Sequence, residues 1–467
     1  MFVGRENELR EMDRLFRSNT FQLFILYGRR RVGKTTLLTE FCRDKPSIFF
    51  SAENSTNQMN LIKFSQQIFS HFGESALEPF GSWEKAFLYI ERRSEKKPLA
   101  VIIDEFPYLA ESDKGLLSVM QHLIDHCLKE SCLFLVLCGS YMGFMEREVL
   151  GSKSPIFGRR TAQLQLRALD YYAGSKMLEP LTDEKKLIYY GIFGGTPLYL
   201  SHISPHTDLA ENLRNNYFSP TAYLYEEPML LLQQELREPG VYRAIIEAIA
   251  GGAVRLNEIH QRTGEERSKC AKYISVLIEL GILYRELPFG ERENSRKGLY
   301  QIEDNMFRFW HRFVGPNRTL IETGAGEIVI AKRVLPDLAD YMGSRFEEIC
   351  RQFLLRKNRL GQLPILFTNI GRWWGTDSRT RRETEIDLIA RDGDSYLFCE
   401  CKWRAQPAGL LVLEALVRKS GLFRTKTSYY AIFSKSGFAP ELIEAAERNG
   451  NVFLYSLKDL MEEGLSL

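Results

Sequence analysis

Gly28-Arg29-Arg30-Arg31-Val32-Gly33-Lys34-Thr35 fits the pattern G-x-x-x-x-G-K-[ST] at every fixed position. Residues of these types at this spacing can capture a nucleoside triphosphate. The glycines let backbone N–H groups wrap phosphate oxygens, and a helix beginning at Lys34 adds a partial positive charge. ATP would rest on Gly28 to Thr36, with Lys34 reaching the β- and γ-phosphates and the Thr35 hydroxyl ligating Mg²⁺. The partner such a loop needs is present in the apolar run Leu99 to Ile103, which ends in Asp104-Glu105. In phosphoryl transfer the first acid holds the Mg²⁺ shell and the second orients and deprotonates water. A third apolar run, Leu133 to Leu137, ends in Cys138-Gly139-Ser140, which puts Ser140 beside the phosphates at the C-terminal edge of a sheet.

A second constellation lies far downstream. Glu385 to Ala390 and Ser395 to Trp403 read as two strands joined through Asp392-Gly393-Asp394, a hairpin signal. Residues two apart on a strand share a face, so Glu400 and Lys402 point one way while Cys399 and Cys401 point to the core. If the turn holds an even number of residues, Asp387 joins Glu400 and Lys402 on one face. Two hard carboxylates for Mg²⁺ and a lysine to position water are the parts of metal-assisted phosphodiester hydrolysis. Upstream, Gly371-Arg372-Trp373-Trp374-Gly375 is followed by Arg379, Arg381 and Arg382. Arginines among aromatics can hold phosphates and stack on bases. The tryptophans could equally anchor the strand that precedes the hairpin.

The elements that must position these residues follow from the apolar pattern. Strand-like runs at 21–27, 47–50, 99–103 and 133–137 alternate with helical stretches, which points to an α/β fold with a parallel sheet covered on both faces. Residues 165–235 turn mainly helical, as a lid would, and close a first domain over residues 1–235. Helices at 245–250, 256–263 and 267–280, followed by a hairpin, describe a winged helix within 236–315. Arg267, Lys269 and Lys272 lie at the start of its second helix-turn-helix element, and Arg292, Arg296 and Lys297 lie in its wing. Glu265, Glu266, Glu291 and Glu293 flank the same surfaces, so contact with DNA and packing within the chain are both open. Gly315-Pro316 reads as the start of a linker, and a third unit spans 325–467.

Composition narrows the class. The 467 residues are 44% hydrophobic and 26% charged, with 62 basic against 60 acidic residues. That balance excludes disordered and collagen-like chains, and any nucleic-acid surface must be a local patch. Eight cysteines without CxxC spacing suggest buried thiols in a reducing cytoplasm. No signal peptide or membrane-length apolar run is read, so the expected location is cytoplasmic. His122 and His126 stand four apart with no third ligand evident, and the remaining histidines suggest no site either.

Phe2 to Leu9, the phosphate loop, Asp104-Glu105, Gly139-Ser140 and Ser154 to Arg160 together resemble the archaeal-type P-loop ATPases, relatives of the AAA+ and STAND NTPases. The resemblance implies that Val3, Gly4 and Arg5 lie near the adenine and that Gly194-Gly195-Thr196-Pro197 contributes beside the nucleotide. It further implies that an arginine of the Arg159-Arg160 pair, Arg159 for preference, senses the γ-phosphate, in a homo-oligomer if it acts between subunits. The Asp387…Glu400-x-Lys402 spacing resembles the PD-(D/E)xK nucleases. By that likeness Gly343 to Glu347 is the superfamily's first helix, Glu347 is a third metal-ligating acid and Glu348 faces elsewhere. The expected protein is a Mg²⁺-dependent ATPase that couples nucleotide state to DNA binding or cutting. The alternatives are an ATP-driven signalling switch and a DNA-binding regulator with a silent C-terminal site.

Overall fold

The apolar runs of the first third form strands with almost no polar face, because helices cover both sides of their sheet. In the computed structural model, which describes residues 2–74 and 78–462, these strands are β1 (Gln22–Tyr27), β2 (Ser47–Ser51), β3 (Leu99–Asp104), β4 (Leu133–Gly139) and β5 (Ala162–Gln165). They pair in parallel in the order β2-β3-β4-β1-β5. Tyr27 pairs with Gly139 and Ser51 with Asp104, so the chain leaves β1, β3 and β4 along a single edge. The Lys34–Cys42 helix buries Leu37, Leu38 and Phe41 against Phe24, Leu26, Ile102 and Val136. Each such side chain removed from water contributes about 1.5–3 kcal/mol, which holds the start of this helix at the sheet edge.

The packing breaks at Ala168. One compact unit holds the residues up to Ala168 with Thr196–Leu198, and the other holds Leu169–Gly195 with the chain from Tyr199 onward. The segment expected to belong to the first domain as far as residue 235 therefore packs with the C-terminal two thirds. Buried tyrosines tie it there: Tyr171 donates to the Leu460 carbonyl (2.7 Å), Tyr341 to that of Gly191 (2.8 Å) and Tyr217 to that of Ile192 (3.1 Å). A buried hydroxyl needs such a partner, and several of these link residues far apart in sequence, which no local pattern reports.

In the second unit three helices, Pro239–Ala250, Leu256–Thr263 and Arg267–Glu279, precede an antiparallel hairpin of β6 (Leu283–Glu286) and β7 (Leu299–Ile302). The linker expected at Gly315-Pro316 is instead a tight helical turn, Gly315–Asn317, leading into the helix Arg318–Glu322. Proline is tolerated in a first helical turn. A side chain at Gly315 would meet Trp310 at 2.8 Å, while the Trp310 indole donates to the Tyr225 carbonyl (2.7 Å). The chain then runs through the long helix Leu335–Arg359 into β8 (Asn369–Thr376), β9 (Glu383–Asp392), β10 (Ser395–Lys402), β11 (Thr427–Ser434) and β12 (Val452–Ser456). This second sheet has the order β12-β11-β10-β9-β8, with β8, β9 and β10 antiparallel and β10, β11 and β12 parallel. Helix Leu410–Ser420 connects β10 to β11. Trp373 packs edge-on against Phe423 (5.2 Å) in this core, so it is an anchor of β8. No helix of the described residues is long and apolar enough to cross a membrane.

His311 is 6% exposed with its Nε2 unpaired, and burial, aided by Arg243, pushes its pKa down to about 3. Below a pH of about 6.5 the unfolded imidazole binds a proton that the folded one refuses. The expected cost is about 1.4 kcal/mol per pH unit between those limits, lost as pH falls. Melting temperature measured against pH should therefore decline less steeply in His311→Phe than in wild type. Equal slopes would remove His311 as the cause.

Candidate nucleotide site and C-terminal acid–lysine cluster

The loop after β1 is shaped by its glycines. Gly28 has φ +156° and lies so close to the strand-end backbone that a Cβ there would sit 2.3 Å from the Leu166 carbonyl oxygen. Gly33, at φ +93°, caps the N-terminus of the Lys34–Cys42 helix. Lys34 is buried, and its Nζ donates to the carbonyls of Gly28 (2.8 Å) and Arg29 (3.1 Å) within the loop. Arg31 is left-handed at φ +71°, a conformation that costs a non-glycine residue energy. Val32 buries its side chain in the core and offers only its backbone to the loop.

Thr35 and Asp104 meet here. The Thr35 hydroxyl donates to Asp104 Oδ2 (2.7 Å), and the Glu105 N–H donates to Asp104 Oδ1 (3.0 Å). These are hard oxygen donors, the chemistry Mg²⁺ requires, so the residues fit that ion. Glu105, left-handed at φ +51°, caps the Phe106–Ser112 helix, and its Oε2 accepts from the Ser140 hydroxyl (2.7 Å). Adjacent strand ends thus bring together all four polar residues read from three separate runs.

The residues assigned by resemblance are placed as follows. Arg5 is buried and donates to the carbonyls of Val32 (3.2 Å) and Arg167 (2.5 Å), which ties the Val3-Gly4-Arg5 segment to the phosphate loop. Pro197 lies within 3.8 Å of a Cβ built on Gly33, and the Thr196 hydroxyl accepts from Arg29 (3.2 Å). Thr36 is exposed on the first turn of the helix. Arg159 grips Asp125 with two hydrogen bonds (2.9 and 2.6 Å) and the carbonyl of Pro155 with a third (2.9 Å). That pairing holds the Asp125 carboxyl below its ordinary range. Arg160 lies over the Phe157 ring at 5.6 Å.

In the C-terminal sheet the β9–β10 turn holds two residues, Gly393 and Asp394, since Asp392 pairs with Ser395. The ladder ends at Leu388 and Cys399, and its register, continued one step, sets Asp387 opposite Glu400. There the Asp387 carboxylate takes over from strand pairing by accepting the Cys401 N–H (2.7 Å). Glu400 accepts from Lys402 (2.6 Å) on one oxygen and from Lys419 (3.1 Å) on the other. Lys419 stands on the helix that follows β10, beyond the reach of a strand-spacing argument. Burial, and then the charge of Glu400, push Asp387 above the ordinary carboxylate range; burial, and then the charge of Asp387, do the same to Glu347. Burial would also raise Glu348, but its two hydrogen bonds from Arg351 (2.7 and 2.8 Å) hold it below the ordinary range. Cys399 and Cys401 are buried free thiols. Among the described residues no group of three or more His, Cys, Asp or Glu side chains stands ready to hold a metal ion.

The basic residues divide. Arg372 is bound to Glu385 and lies 3.9 Å from Glu286, and Arg379 donates to the Gly421 carbonyl (2.9 Å). Arg381 and Arg382 are exposed. Lys269 pairs with Glu265 (3.0 Å) and Lys297 with Glu291 (2.5 Å), while Arg267, Lys272, Arg292 and Arg296 are exposed. The Phe289 N–H bonds to the Arg372 carbonyl (2.8 Å) and its ring joins the C-terminal core, so one side of the hairpin loop is docked.

Comparison with known proteins fits this geometry. A family model described as an ATPase domain predominantly from Archaea matches residues 2–203, and one described as "Archaea bacterial proteins of unknown function" matches residues 310–413. An uncharacterized protein of Methanocaldococcus jannaschii is 33% identical over 466 residues, covering 98% of this chain and 100% of that protein. An uncharacterized ATP-binding protein of Pyrococcus abyssi is 25% identical over 311 residues, 53% of this chain and 89% of that protein. Among solved structures, the Walker-type ATPase paby2304 of Pyrococcus abyssi superposes with a TM-score of 0.52 at 20% identity, covering 67% of this chain and 96% of that one, a likeness of fold. With its phosphate loop and the Thr35–Asp104 and Glu105–Ser140 pairs, this chain carries over residues 2–203 an ATPase domain of the kind found predominantly in Archaea, and it belongs to one family with the Methanocaldococcus jannaschii protein similar to it from end to end.

Proposed function

We propose that this protein hydrolyses ATP with Mg²⁺ and couples its nucleotide state to DNA through the second unit. The observation that carries the first half is the pair of contacts Thr35–Asp104 and Glu105–Ser140 along one sheet edge. Mg²⁺, when bound, neutralises charge on the phosphates. Lys34 exchanges the loop carbonyls for phosphate oxygens, and Thr35 with Asp104 supplies the hard oxygen ligands. Glu105 takes the proton of the attacking water, and Ser140 holds its carboxylate in place. In this reading Arg159 leaves Asp125 to meet the γ-phosphate of a neighbouring subunit in a homo-oligomer. Arg159→Ala and Glu105→Ala proteins, mixed, should then regain ATPase activity that neither has alone; no recovery speaks against a shared site.

The second half of the proposal is that the three helices and hairpin form a winged helix and that the C-terminal sheet is nuclease-like. The convergence of Asp387, Glu400 and Lys402, with Glu347 near enough to feel the charge of Asp387, supports metal-dependent cleavage of DNA. A second reading, DNA binding without cleavage or an ATP-driven switch, draws on the same cluster, because lysines occupy both oxygens of Glu400. The deciding experiment incubates labelled single-stranded, duplex and branched DNA with Mg²⁺ or Mn²⁺, with and without ATP. Wild type is compared with Asp387→Ala/Lys402→Ala. Cutting that vanishes in the double variant supports an ATP-linked nuclease; intact ATPase without cutting favours the second reading.

A further inference from the structure

Lys402 belongs to the expected motif, but the structure brings a second lysine to the same carboxylate. Lys419 sits in the last turn of the Leu410–Ser420 helix and contacts Glu400 Oε2 at 3.1 Å, while Lys402 contacts Oε1 at 2.6 Å. One lysine neutralises one carboxylate. Here two lysines share one carboxylate at fixed geometry, with Asp387 as the second acid facing them, so the two ammonium groups balance the two carboxylates. The Glu400 side chain is only 10% exposed, whereas Lys402 and Lys419 are 27% and 21% exposed. The carboxylate is therefore the more buried partner, and both lysine side chains reach solvent.

Further basic residues lie past the helix end. Arg418 precedes Lys419 and is exposed. Two residues after Lys419, the Gly421 carbonyl accepts from Arg379 (2.9 Å), which fixes the turn from Asp377 to Arg382 against this helix end. The turn is internally braced: Asp377 accepts from the Arg379 N–H (2.7 Å), and the Arg381 N–H donates to the Asp377 carbonyl (2.8 Å). Arg381 and Arg382 are exposed on this braced turn, which Arg379 ties to the chain two residues beyond Lys419.

We propose that Lys419 is a phosphate-binding residue of the C-terminal site, acting with Lys402 on the phosphodiester backbone of a nucleic acid that the Arg379–Arg382 turn guides. The proposal rests on the nucleic-acid reading above and deepens it, since it names the contact by which that site holds its ligand. Glu400 serves as a shared anchor that fixes the two ammonium groups, and an incoming phosphate replaces water in front of them. A lysine near a helix C-terminus also suits the helix dipole. That role alone predicts an effect on stability and none on ligand binding.

The test is anisotropy binding of short labelled duplex and single-stranded DNA to the full-length protein in Ca²⁺ over a salt series, with the melting temperature of each variant. Lys419→Gln keeps a donor for Glu400 and removes the charge. It should weaken binding about tenfold and lower the log–log salt slope by about 1, the signature of one lost phosphate contact. Lys419→Arg should restore both. Should Lys419→Gln fold poorly, Lys419→Met, which keeps the aliphatic stem and removes the charge, decides: affinity and salt slope unchanged from wild type overturn the phosphate contact. If Lys402→Gln weakens binding while Lys419→Gln leaves affinity and slope unchanged, the site reading stands and Lys419 is structural. If neither substitution matters, or the wild type binds no nucleic acid, both the proposal and the reading beneath it fail.

Discussion

Glu105→Gln is expected to lower the ATP turnover rate about a hundred- to ten-thousand-fold, the range typical of a lost general base, while ATP still binds. The residue stands at the end of β3, next to the Asp104 carboxylate that Thr35 engages, and is steered by the Ser140 hydroxyl at 2.7 Å. Glutamine keeps the shape and the contact with Ser140 but has no carboxylate to accept a proton. Binding should persist because the phosphate loop, Lys34 and Thr35 are untouched. Ser140→Ala should cost less than Glu105→Gln, since it frees the carboxylate from its orientation without removing it. Single-turnover hydrolysis with labelled ATP, paired with equilibrium binding, separates the two effects. A Glu105→Gln protein turning over at the wild-type rate would assign water activation to another residue.

Lys34→Met should abolish the stabilisation that ATP confers. Charge-assisted hydrogen bonds are worth about 1.5–3 kcal/mol each, so losing the ammonium should weaken ATP binding about ten- to a hundredfold per bond. Its Nζ lies inside the loop on the Gly28 and Arg29 carbonyls, at the place where phosphate oxygens would compete for it. Ligand at about a hundred times its dissociation constant stabilises a folded protein by about 2.7 kcal/mol, a readily measured shift in melting temperature. Wild type should show that shift with ATP and Mg²⁺, and Lys34→Met should show little or none. An equal shift in both proteins would remove Lys34 from the phosphate contacts. A fall in melting temperature without ATP would measure the separate loss of the loop-carbonyl bonds.

The nucleotide half of the molecule was largely legible because its parts are local. A phosphate loop spans eight consecutive residues, and Asp104-Glu105 and Ser140 each terminate an apolar run whose direction the sequence gives away. Once parallel strands stack side by side, their ends meet by geometry, and Thr35 finds Asp104 as Glu105 finds Ser140. The hairpin near Gly393 was equally local: a two-residue turn and a side-chain period of two suffice to set Asp387 against Glu400.

Residues acting across distance were not legible. Lys419 reaches Glu400 from a separate helix, Asp125 claims Arg159 from another element, and Tyr171 binds the Leu460 carbonyl across almost the whole second unit. The same reason explains the packing boundary at Ala168 and the helical turn at Gly315-Pro316, each set by side chains that arrive from elsewhere in the fold. By itself the sequence determined the strands and turns, hence the ATP-binding loop and its acids, because local periodicity and glycine placement dictate backbone path. Tertiary structure alone decided which charges pair and which segments pack together. Burial, and not spacing along the chain, selects a partner for each buried polar group.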